Sequence, residues 1–209
     1  MLQADAVMEQ ADALVDLAAA SDFAPAFGPG GGYPGLRAPA PRDYVETVVQ
    51  ALVGPISEAF SLGPIRPIRA NCAYSLVTLP ADRLVPPQRA PHVDTVDPWQ
   101  FAILHYLCDA AFGGTAFYRH RATGFETLSA ERMPAYQQAR ADEGWADGYV
   151  DDGAPWFEQT AEVTAAFNRL VVYRSRVLHS GRILSPDGLS PDPRRGRLTA
   201  NIFASFAPA

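Results

Sequence analysis

A histidine and an aspartate two positions apart, in the run His92-Val93-Asp94, form the pattern with the clearest chemical meaning. In a β-strand, residues i and i+2 point to the same side, so an imidazole and a carboxylate at this spacing can converge on one point. A third ligand must come from another strand, and among the 4 histidines of the chain His179 is the best candidate. Two histidines and one carboxylate leave open positions on an octahedral iron(II), where a co-substrate and oxygen can bind together.

Each part of this pattern also has an ordinary interpretation. Short His/Asp pairs occur by chance, and a single histidine such as His179 is frequently a hydrogen-bonded core or surface residue. The order of the residues around the candidates therefore carries the functional interpretation.

A strand with one polar face is predicted near the end of the chain, in the run Arg197-Leu198-Thr199-Ala200-Asn201-Ile202-Phe203. With a period of two, Arg197, Thr199 and Asn201 share one face of that strand. A buried guanidinium needs a partner, and a carboxylate held side-on by arginine beside a hydroxyl would satisfy it. An exposed edge strand with a surface arginine is the alternative, and Arg194 and Arg195 could compete for the same role.

The elements that must position these residues change character along the chain. Helical periodicity predicts amphipathic helices at 4–20 and 43–60, and the Gly- and Pro-rich residues 21–42 are predicted to form an irregular loop. After residue 65 the pattern changes to short β-like runs, which are typical of a sandwich or barrel. The predicted strands are 68–79, 92–94, 99–108, 115–119, 170–174, 177–180 and 197–206.

We expect a single domain, 1–209, in which a helical N-terminal support, 1–64, packs against a β core, 65–206. Residues 120–167 show a weaker pattern, with helices predicted at 129–141 and 156–167. This segment is interpreted as an insertion over the mouth of the β core.

Composition disfavours several functional classes. The chain has 209 residues and a net charge of -6, which disfavours nucleic acid as a partner. All 17 basic residues are arginines, so any anion must be held by arginine, histidine, hydroxyl or backbone groups. No apolar run reaches the roughly 20 residues of a membrane span, and the N-terminus lacks the pattern of a signal peptide. Cys72 and Cys108 predict no disulfide framework, and we expect a cytoplasmic protein.

The order His-x-Asp, distal His, Arg-x-Thr resembles that of the iron(II)/2-oxoglutarate-dependent oxygenases. The similarity is to the prolyl-hydroxylase branch and covers about residues 70–206. Similar segments are Phe101-Ala102-Ile103-Leu104-His105-Tyr106-Leu107-Cys108-Asp109 with Gly113-Gly114-Thr115-Ala116-Phe117, and Asn168-Arg169-Leu170-Val171-Val172-Tyr173-Arg174 with Leu178-His179. The run Tyr33-Pro34-Gly35-Leu36-Arg37 resembles an uncharacterised bacterial branch of the superfamily.

The resemblance implies a mainly β fold with flanking helices. The fold would be a double-stranded β-helix, a cupin-like jelly roll, with the N-terminal helices packed on the barrel. It also implies that His92, Asp94 and His179 are the iron ligands.

For the co-substrate, the resemblance implies that Arg197 pairs with the distal carboxylate of 2-oxoglutarate and that Thr199 assists it. Tyr106 matches a tyrosine that contacts the co-substrate in some members. Tyr74 and Asn71, on the strand before the His-x-Asp pair, are further candidates for the same pocket, with core packing as the alternative.

The implied activity is hydroxylation of an amino acid, a peptidyl residue or a related small molecule, with desaturation and cyclisation as variants. Iron(II), 2-oxoglutarate and O2 are the implied cofactor and co-substrates, with ascorbate as an accessory reductant. The expected partner is a small-molecule or peptide substrate, with no nucleic acid and no membrane, and the chain is a monomer or a homodimer. The alternatives are a cupin-type metal enzyme that does not use 2-oxoglutarate, a catalytically silent binding module, and a structural protein with incidental histidines.

Overall fold

The computed structural model describes residues 1–28, 31–151 and 154–209. Parts of the loop predicted at 21–42 and of the insertion predicted at 120–167 therefore lie outside the described residues. The α-helices are α1 (Ala11–Ala19), α2 (Arg42–Ala59) and α3 (Met133–Ala141). The strands are β1 (Leu2–Ala4), β2 (Ala24–Gly28), β3 (Gly31–Pro39), β4 (Ile65–Val77), β5 (Gln100–Tyr106), β6 (Gly114–His120), β7 (Phe157–Thr164), β8 (Arg169–Arg174), β9 (His179–Arg182) and β10 (Arg197–Pro208).

The strands form two antiparallel sheets that pack face to face as a β sandwich. The large sheet has the order β1-β8-β5-β10-β4-β3-β2, and the small sheet has the order β7-β6-β9. An isolated bridge between His92 and His179 adds the His92 segment to the small sheet beside β9. Between the sheets, Leu104 and Tyr106 from β5 pack in one cluster with Phe117 and Val163 from the small sheet.

Alternation along β10 separates an apolar helix-facing side from the polar side that faces the small sheet. Leu198, Ala200 and Ile202 are each 0% exposed and belong to the cluster that includes buried residues of α1 and α2. Burying a leucine or isoleucine side chain contributes about 1.5–3 kcal/mol. The helix predicted at 43–60 is confirmed as α2, whereas the helix predicted at 4–20 is present only over Ala11–Ala19, as α1, and Leu2–Ala4 forms β1. Both helices cover the outer face of the large sheet.

The segment predicted as an irregular loop, 21–42, instead contains β2 and β3. β3 pairs with β4 from Gly35↔Val77 to Pro39↔Ala73, which extends the large sheet. Glycine and proline in this segment indicated a turn, but pairing with the long strand β4 outweighs local propensity. The N-terminal region 1–64 is therefore not only a helical support, because it supplies strands to the large sheet.

The helix predicted at 156–167 is wrong, because these residues form β7 and the turn after it. β7 pairs with β6 from Gly114↔Thr164 to His120↔Phe157, with a register shift at Phe117/Tyr118. Phe157 and Val163 are buried on this strand, whereas the apolar residues Phe157, Ala161 and Ala165 recur at a spacing that also fits a helix. The helix predicted at 129–141 is confirmed as α3.

The predicted insertion packs mainly behind the small sheet rather than over the mouth of the core. Its residues Leu128, Val150 and Phe157 form a cluster with Ala116 and Tyr118 on the outward face of β6. Within the described part of the segment, Tyr149 lines the cavity between the sheets, and its hydroxyl donates to the Leu79 carbonyl at 2.7 Å.

Candidate metal centre

Backbone pairing at the edge of the small sheet brings the predicted metal ligands together. The His92 amide donates to the His179 carbonyl and the His179 amide donates to the His92 carbonyl, each at 2.9 Å. The Asp94 amide donates to the Ser175 carbonyl, also at 2.9 Å. These bonds fix both the His-x-Asp segment and the start of β9, so the three side chains project into the space between the sheets.

The three side chains form a compact donor set. Asp94 Oδ1 lies 3.9 Å from His92 Nε2, and Asp94 Oδ2 lies 3.8 Å from His179 Nε2. One ligand atom from each residue lies within 4.8 Å of the other two. Metal bonds to imidazole nitrogen and carboxylate oxygen are about 2.0–2.2 Å long, so the three residues form a candidate donor set for one ion.

The surroundings of His179 select the nitrogen that faces the metal position. Its Nδ1 lies 2.9 Å from the Val177 carbonyl, so Nδ1–H donates and Nε2 keeps its lone pair for a metal. The Tyr173 ring packs edge-on against the imidazole at 4.8 Å between ring centroids. Both contacts hold the ring in the orientation that a ligand needs.

Electrostatics keep both histidines in the form that binds a metal. Burial lowers the pKa of His179 to about 4, and its side chain is only 7% exposed. The His92 side chain is 55% exposed, yet desolvation by the surrounding protein also lowers its pKa. Burial raises the pKa of Asp94, whereas His92 and Arg37 lower it. Neutral imidazoles beside an acidic group are a suitable donor set for a divalent cation.

A cavity of about 420 Å³ opens next to the three candidate ligands. Arg197 and Thr199, from the polar face of β10, line the same cavity. Its other polar lining residues include Tyr33, Arg37, Tyr149, Tyr173 and Asn201. The structure thus brings the predicted metal ligands and the predicted anion-binding residues to one cavity.

The guanidinium of Arg197 is positioned by backbone carbonyls at the turn that precedes β6. Its Nε donates to the Phe112 carbonyl at 3.2 Å, and its Nη2 donates to the Gly114 carbonyl at 2.6 Å. The residue is 4% exposed, and the described residues provide it with no carboxylate partner. Arg194 and Arg195 are exposed, and Arg194 pairs with Asp16, so neither competes with Arg197 for the cavity.

Two buried polar atoms at the cavity wall have no hydrogen-bond partner among the described residues. They are the hydroxyl oxygen of Tyr33 and Oδ1 of Asn201. Burial raises the pKa of Tyr33, and the nearby Arg197 guanidinium and Thr199 hydroxyl oppose that effect. Buried polar atoms are usually paired, so these two indicate a polar ligand in the cavity.

The remaining candidates from the sequence have different positions. Tyr106 is fully buried between the sheets, and its hydroxyl bonds to Thr115 at 2.6 Å, so it supports the cavity wall without lining the cavity. Tyr74 was expected in the pocket, but it points to the helix-facing side of β4 and packs in the outer core. Asn71 lines a second, smaller cavity that shares Arg37 and Asp94 with the main one.

Sequence reasoning did not assign site roles to Tyr33, Arg37 and Tyr149. Tyr33 and Arg37 lie in β3, inside the segment that its glycine and proline content marked as a loop. A period-two interpretation of 33–37 would have placed these two side chains on one face. Tyr149 lies outside regular structure in the 120–167 segment, where periodicity gives no side-chain direction.

The arrangement fits a divalent metal ion together with a bound dicarboxylate. The two histidines and the carboxylate match the facial triad typical of non-haem iron(II), which leaves further coordination positions for ligands. Arg197 offers a cation, and Thr199 and Tyr33 offer hydroxyl groups, in the same cavity.

Comparisons with known proteins identify the family and the fold. The fold is similar to that of HygX from Streptomyces hygroscopicus, whose crystal structure has nickel and 2-oxoglutarate bound. The TM-score is 0.54 at 14% sequence identity, over 100% of this chain and 82% of that one, a level at which the likeness shows the fold alone. No curated protein matches the sequence. The sequence matches the family of unknown function DUF6445 over residues 1–204, and the chain therefore belongs to that family.

Proposed function

We propose that this protein is an iron(II)- and 2-oxoglutarate-dependent oxygenase that hydroxylates an amino acid, a peptidyl residue or a related small molecule. The observation that carries the proposal is the shared cavity, in which a His/Asp/His donor set lies with a buried arginine that has no carboxylate partner among the described residues. A metal alone would need only the donor set. The buried arginine supports a second ligand that is an anion.

The order of the segments supports a double-stranded β-helix. From β4 onward the chain alternates between the large sheet and the small sheet, with the His92 segment, β6 and β9 in the small one. β5, β8 and β10 return to the large sheet, and β7 follows β6 within the small sheet. This interleaving of two sheets is the arrangement expected of a jelly roll.

In this proposal His92, Asp94 and His179 hold the iron, and Arg197 holds the distal carboxylate of 2-oxoglutarate. Thr199 donates a hydroxyl to the same carboxylate. When bound, iron(II) and 2-oxoglutarate supply the oxygen-activating chemistry that oxidises a substrate C–H bond. The protein orients the co-substrate and excludes water from it, because the cavity walls at Arg197 and Thr199 are buried.

HygX supports this assignment by analogy, since a chain with this fold holds nickel and 2-oxoglutarate in its crystal structure. A fold hosts many functions, so the function must be inferred from the residues that line the cavity. The donor set and the buried arginine are the groups that such ligands require.

Two calorimetric titrations test the proposal. Nickel(II) replaces iron to avoid oxidation, and 2-oxoglutarate is then added to the nickel-loaded protein. We expect the wild-type protein to bind both and Asp94→Ala to lose metal binding. Arg197→Ala and Arg197→Lys should keep the metal while 2-oxoglutarate affinity falls, by about 100-fold for alanine.

Arg194→Ala, which removes an exposed arginine from the loop before β10, is the matched control and should match the wild type. Metal binding without 2-oxoglutarate binding in the wild-type protein would instead support a cupin-type metal enzyme that does not use 2-oxoglutarate. No metal binding at all would refute the proposed site.

A further inference from the structure

We propose that Arg37 binds a carboxylate of the substrate, so that the natural substrate carries such a group close to the carbon that is oxidised. The proposal rests on the proposed function and names the substrate class of the same site. It depends on the position of Arg37, its unused hydrogen-bonding capacity and the charge balance of the cavity.

The position of Arg37 follows from strand pairing. Arg37 lies opposite Ser75 on β4, and Ser75 lies opposite Thr199 on β10. Directly paired residues of antiparallel strands share a face, so Arg37 projects on the same side of the large sheet as Thr199. Arg37 accordingly lines the main cavity together with His92 and Asp94.

The guanidinium of Arg37 is oriented but only partly used. Its Nε donates to Ser75 Oγ at 3.2 Å, and its Cζ lies 4.5 Å from the centroid of the Tyr33 ring. Stacking and one hydrogen bond fix the plane of the group. Among the described residues no carboxylate pairs with it, and its two terminal nitrogens donate no hydrogen bond. A paired fork of N–H donors matches a carboxylate.

The charge balance leaves Arg37 without a counter-charge. Asp94 is the carboxylate among the described lining residues of the main cavity, and it is a proposed metal ligand. The two negative charges of 2-oxoglutarate are matched by Arg197 and by the net charge of a divalent metal bound to Asp94. Arg37 therefore remains a cation that attracts a further anion.

A second cavity extends the positive surface away from the metal position. It has a volume of about 250 Å³ and adjoins the main cavity at Arg37 and Asp94. Its other lining residues are Arg69, Asn71, Gln100 and Phe203. A second arginine and two amides give this route polar donors, which suits an approaching carboxylate substrate.

Paramagnetic relaxation of small probe molecules tests the proposal without knowledge of the substrate. The protein is loaded with manganese(II) and saturated with 2-oxoglutarate, and proton relaxation is measured on the acetyl methyl group of each probe. The probes are N-acetyl-L-alanine, N-acetyl-L-aspartic acid α-amide and the uncharged N-acetyl-L-alaninamide. The first has a main-chain carboxylate and the second a side-chain carboxylate, so they distinguish a free amino acid from a peptidyl residue. A zinc-loaded sample provides the diamagnetic reference.

We expect at least one charged probe to relax faster than the uncharged amide in wild-type protein. Its affinity should fall about tenfold in Arg37→Ala and Arg37→Gln, because a charge-assisted pair is lost. Arg42→Ala, which removes an exposed arginine on α2 that pairs with Glu46, is the matched control and should behave as wild type.

Equal relaxation of charged and uncharged probes would overturn the proposal, as would enhancement that survives both Arg37 substitutions. The latter result would mean that the carboxylate binds elsewhere, for example on the metal. Failure of the wild-type protein to bind manganese(II) or 2-oxoglutarate is measured separately by calorimetry, and it would refute the proposed function on which the substrate assignment depends.

Discussion

At the scale of single residues, Arg197 has the environment that most constrains the chemistry. The residue is 4% exposed, and the described hydrogen bonds of its guanidinium go to the carbonyls of Phe112 and Gly114. Carbonyl oxygens satisfy N–H donors without neutralising the charge. A buried charge without a counter-charge is costly, so an anionic ligand that binds here stabilises the folded protein.

Two tyrosines near Arg197 should respond differently to removal of their hydroxyl groups. Tyr33→Phe should weaken 2-oxoglutarate binding about fivefold with little effect on stability, because its buried hydroxyl lacks a described protein partner and faces the cavity. Tyr106→Phe should lower the free energy of unfolding by about 1 kcal/mol, because it breaks the bond to Thr115. Calorimetry and urea denaturation measure the two effects.

The opposite pattern, with Tyr106→Phe alone affecting 2-oxoglutarate, would restore the role that the family resemblance gave to Tyr106. A loss of stability in Tyr33→Phe equal to that in Tyr106→Phe would show that Tyr33 is only a packing residue.

The residue types and spacings could predict the convergence of His92, Asp94 and His179, and the period-two face of β10 singled out Arg197. For Tyr74, the sequence could not predict which face of its strand the side chain occupies. The strand preceding the His-x-Asp pair was recognised, but its inward face carries Ser75, which pairs with Thr199 across the sheet. Tyr74 therefore packs against the helices instead of the cavity.

At the scale of elements, the turn before β6 connects backbone geometry with the site. Gly113 has φ +93°, and a Cβ there would lie 2.1 Å from the Arg182 carbonyl oxygen. The adjacent Phe112 and Gly114 carbonyls hold Arg197. The glycines therefore permit a close approach of strands and, through it, the position of the arginine.

Gly113→Ala should lower the free energy of unfolding by about 3 kcal/mol or more, because it combines backbone strain with a backbone clash. Gly124→Ala is the matched control, since Gly124 also has a positive φ of 70° but a Cβ added there would meet nothing within 4 Å. It should cost only about 1 kcal/mol. Urea midpoints compare the variants, and equal losses would show that the close approach at Gly113 is unimportant.

Apart from β7, the strands after residue 65 could be predicted because their runs of β-branched and aromatic residues match the period of a buried sheet. β3 and β7 could not be predicted, for different reasons. β3 carries Gly31, Gly32 and Gly35 and is a strand because it pairs with β4. The spacing of the apolar residues in β7 is compatible with a helix or a strand. The segment is a strand because it pairs with β6.

At the scale of the whole molecule, neutral buried histidines make stability depend on pH. His105 is fully buried between Tyr44 and Asn168, and burial lowers its pKa below 6.5. His179 is similar, with a pKa of about 4. In the unfolded chain both histidines take up protons near pH 6.5, so the unfolded state binds more protons below that pH. Their contribution is complete above pH about 6.5 and is lost as the pH falls toward the folded-state values.

The free energy of unfolding of the metal-free protein should therefore decrease between pH about 6.5 and pH about 5, by about 1 kcal/mol per pH unit for each such histidine. Asp94 has the opposite effect on the pH dependence of the free energy of unfolding, because burial raises its pKa. Urea denaturation at several pH values measures the slope, and His105→Gln should make it shallower. A slope that is unchanged in His105→Gln would show that burial does not lower the pKa of this histidine.

The chain as a whole places its N-terminal region in the site. β3 contributes Tyr33 and Arg37 to the cavity, and α1 and α2 cover the opposite face of the sheet that β3 extends. The site therefore depends on contacts between distant parts of the sequence, which explains why local patterns did not reveal the role of β3.

No helix among the described residues is long and apolar enough to cross a membrane.

The central claim is that one metal ion and 2-oxoglutarate bind together at His92, Asp94 and His179, with Arg197 holding the co-substrate. The most direct measurement is an anaerobic titration of the metal-free protein with iron(II) and then with 2-oxoglutarate, followed by visible absorption. A weak metal-to-ligand charge-transfer band should appear only when both are present, and it should be lost in His179→Ala and require much more 2-oxoglutarate in Arg197→Ala. Stoichiometric binding of iron without that band at saturating 2-oxoglutarate would contradict the claim.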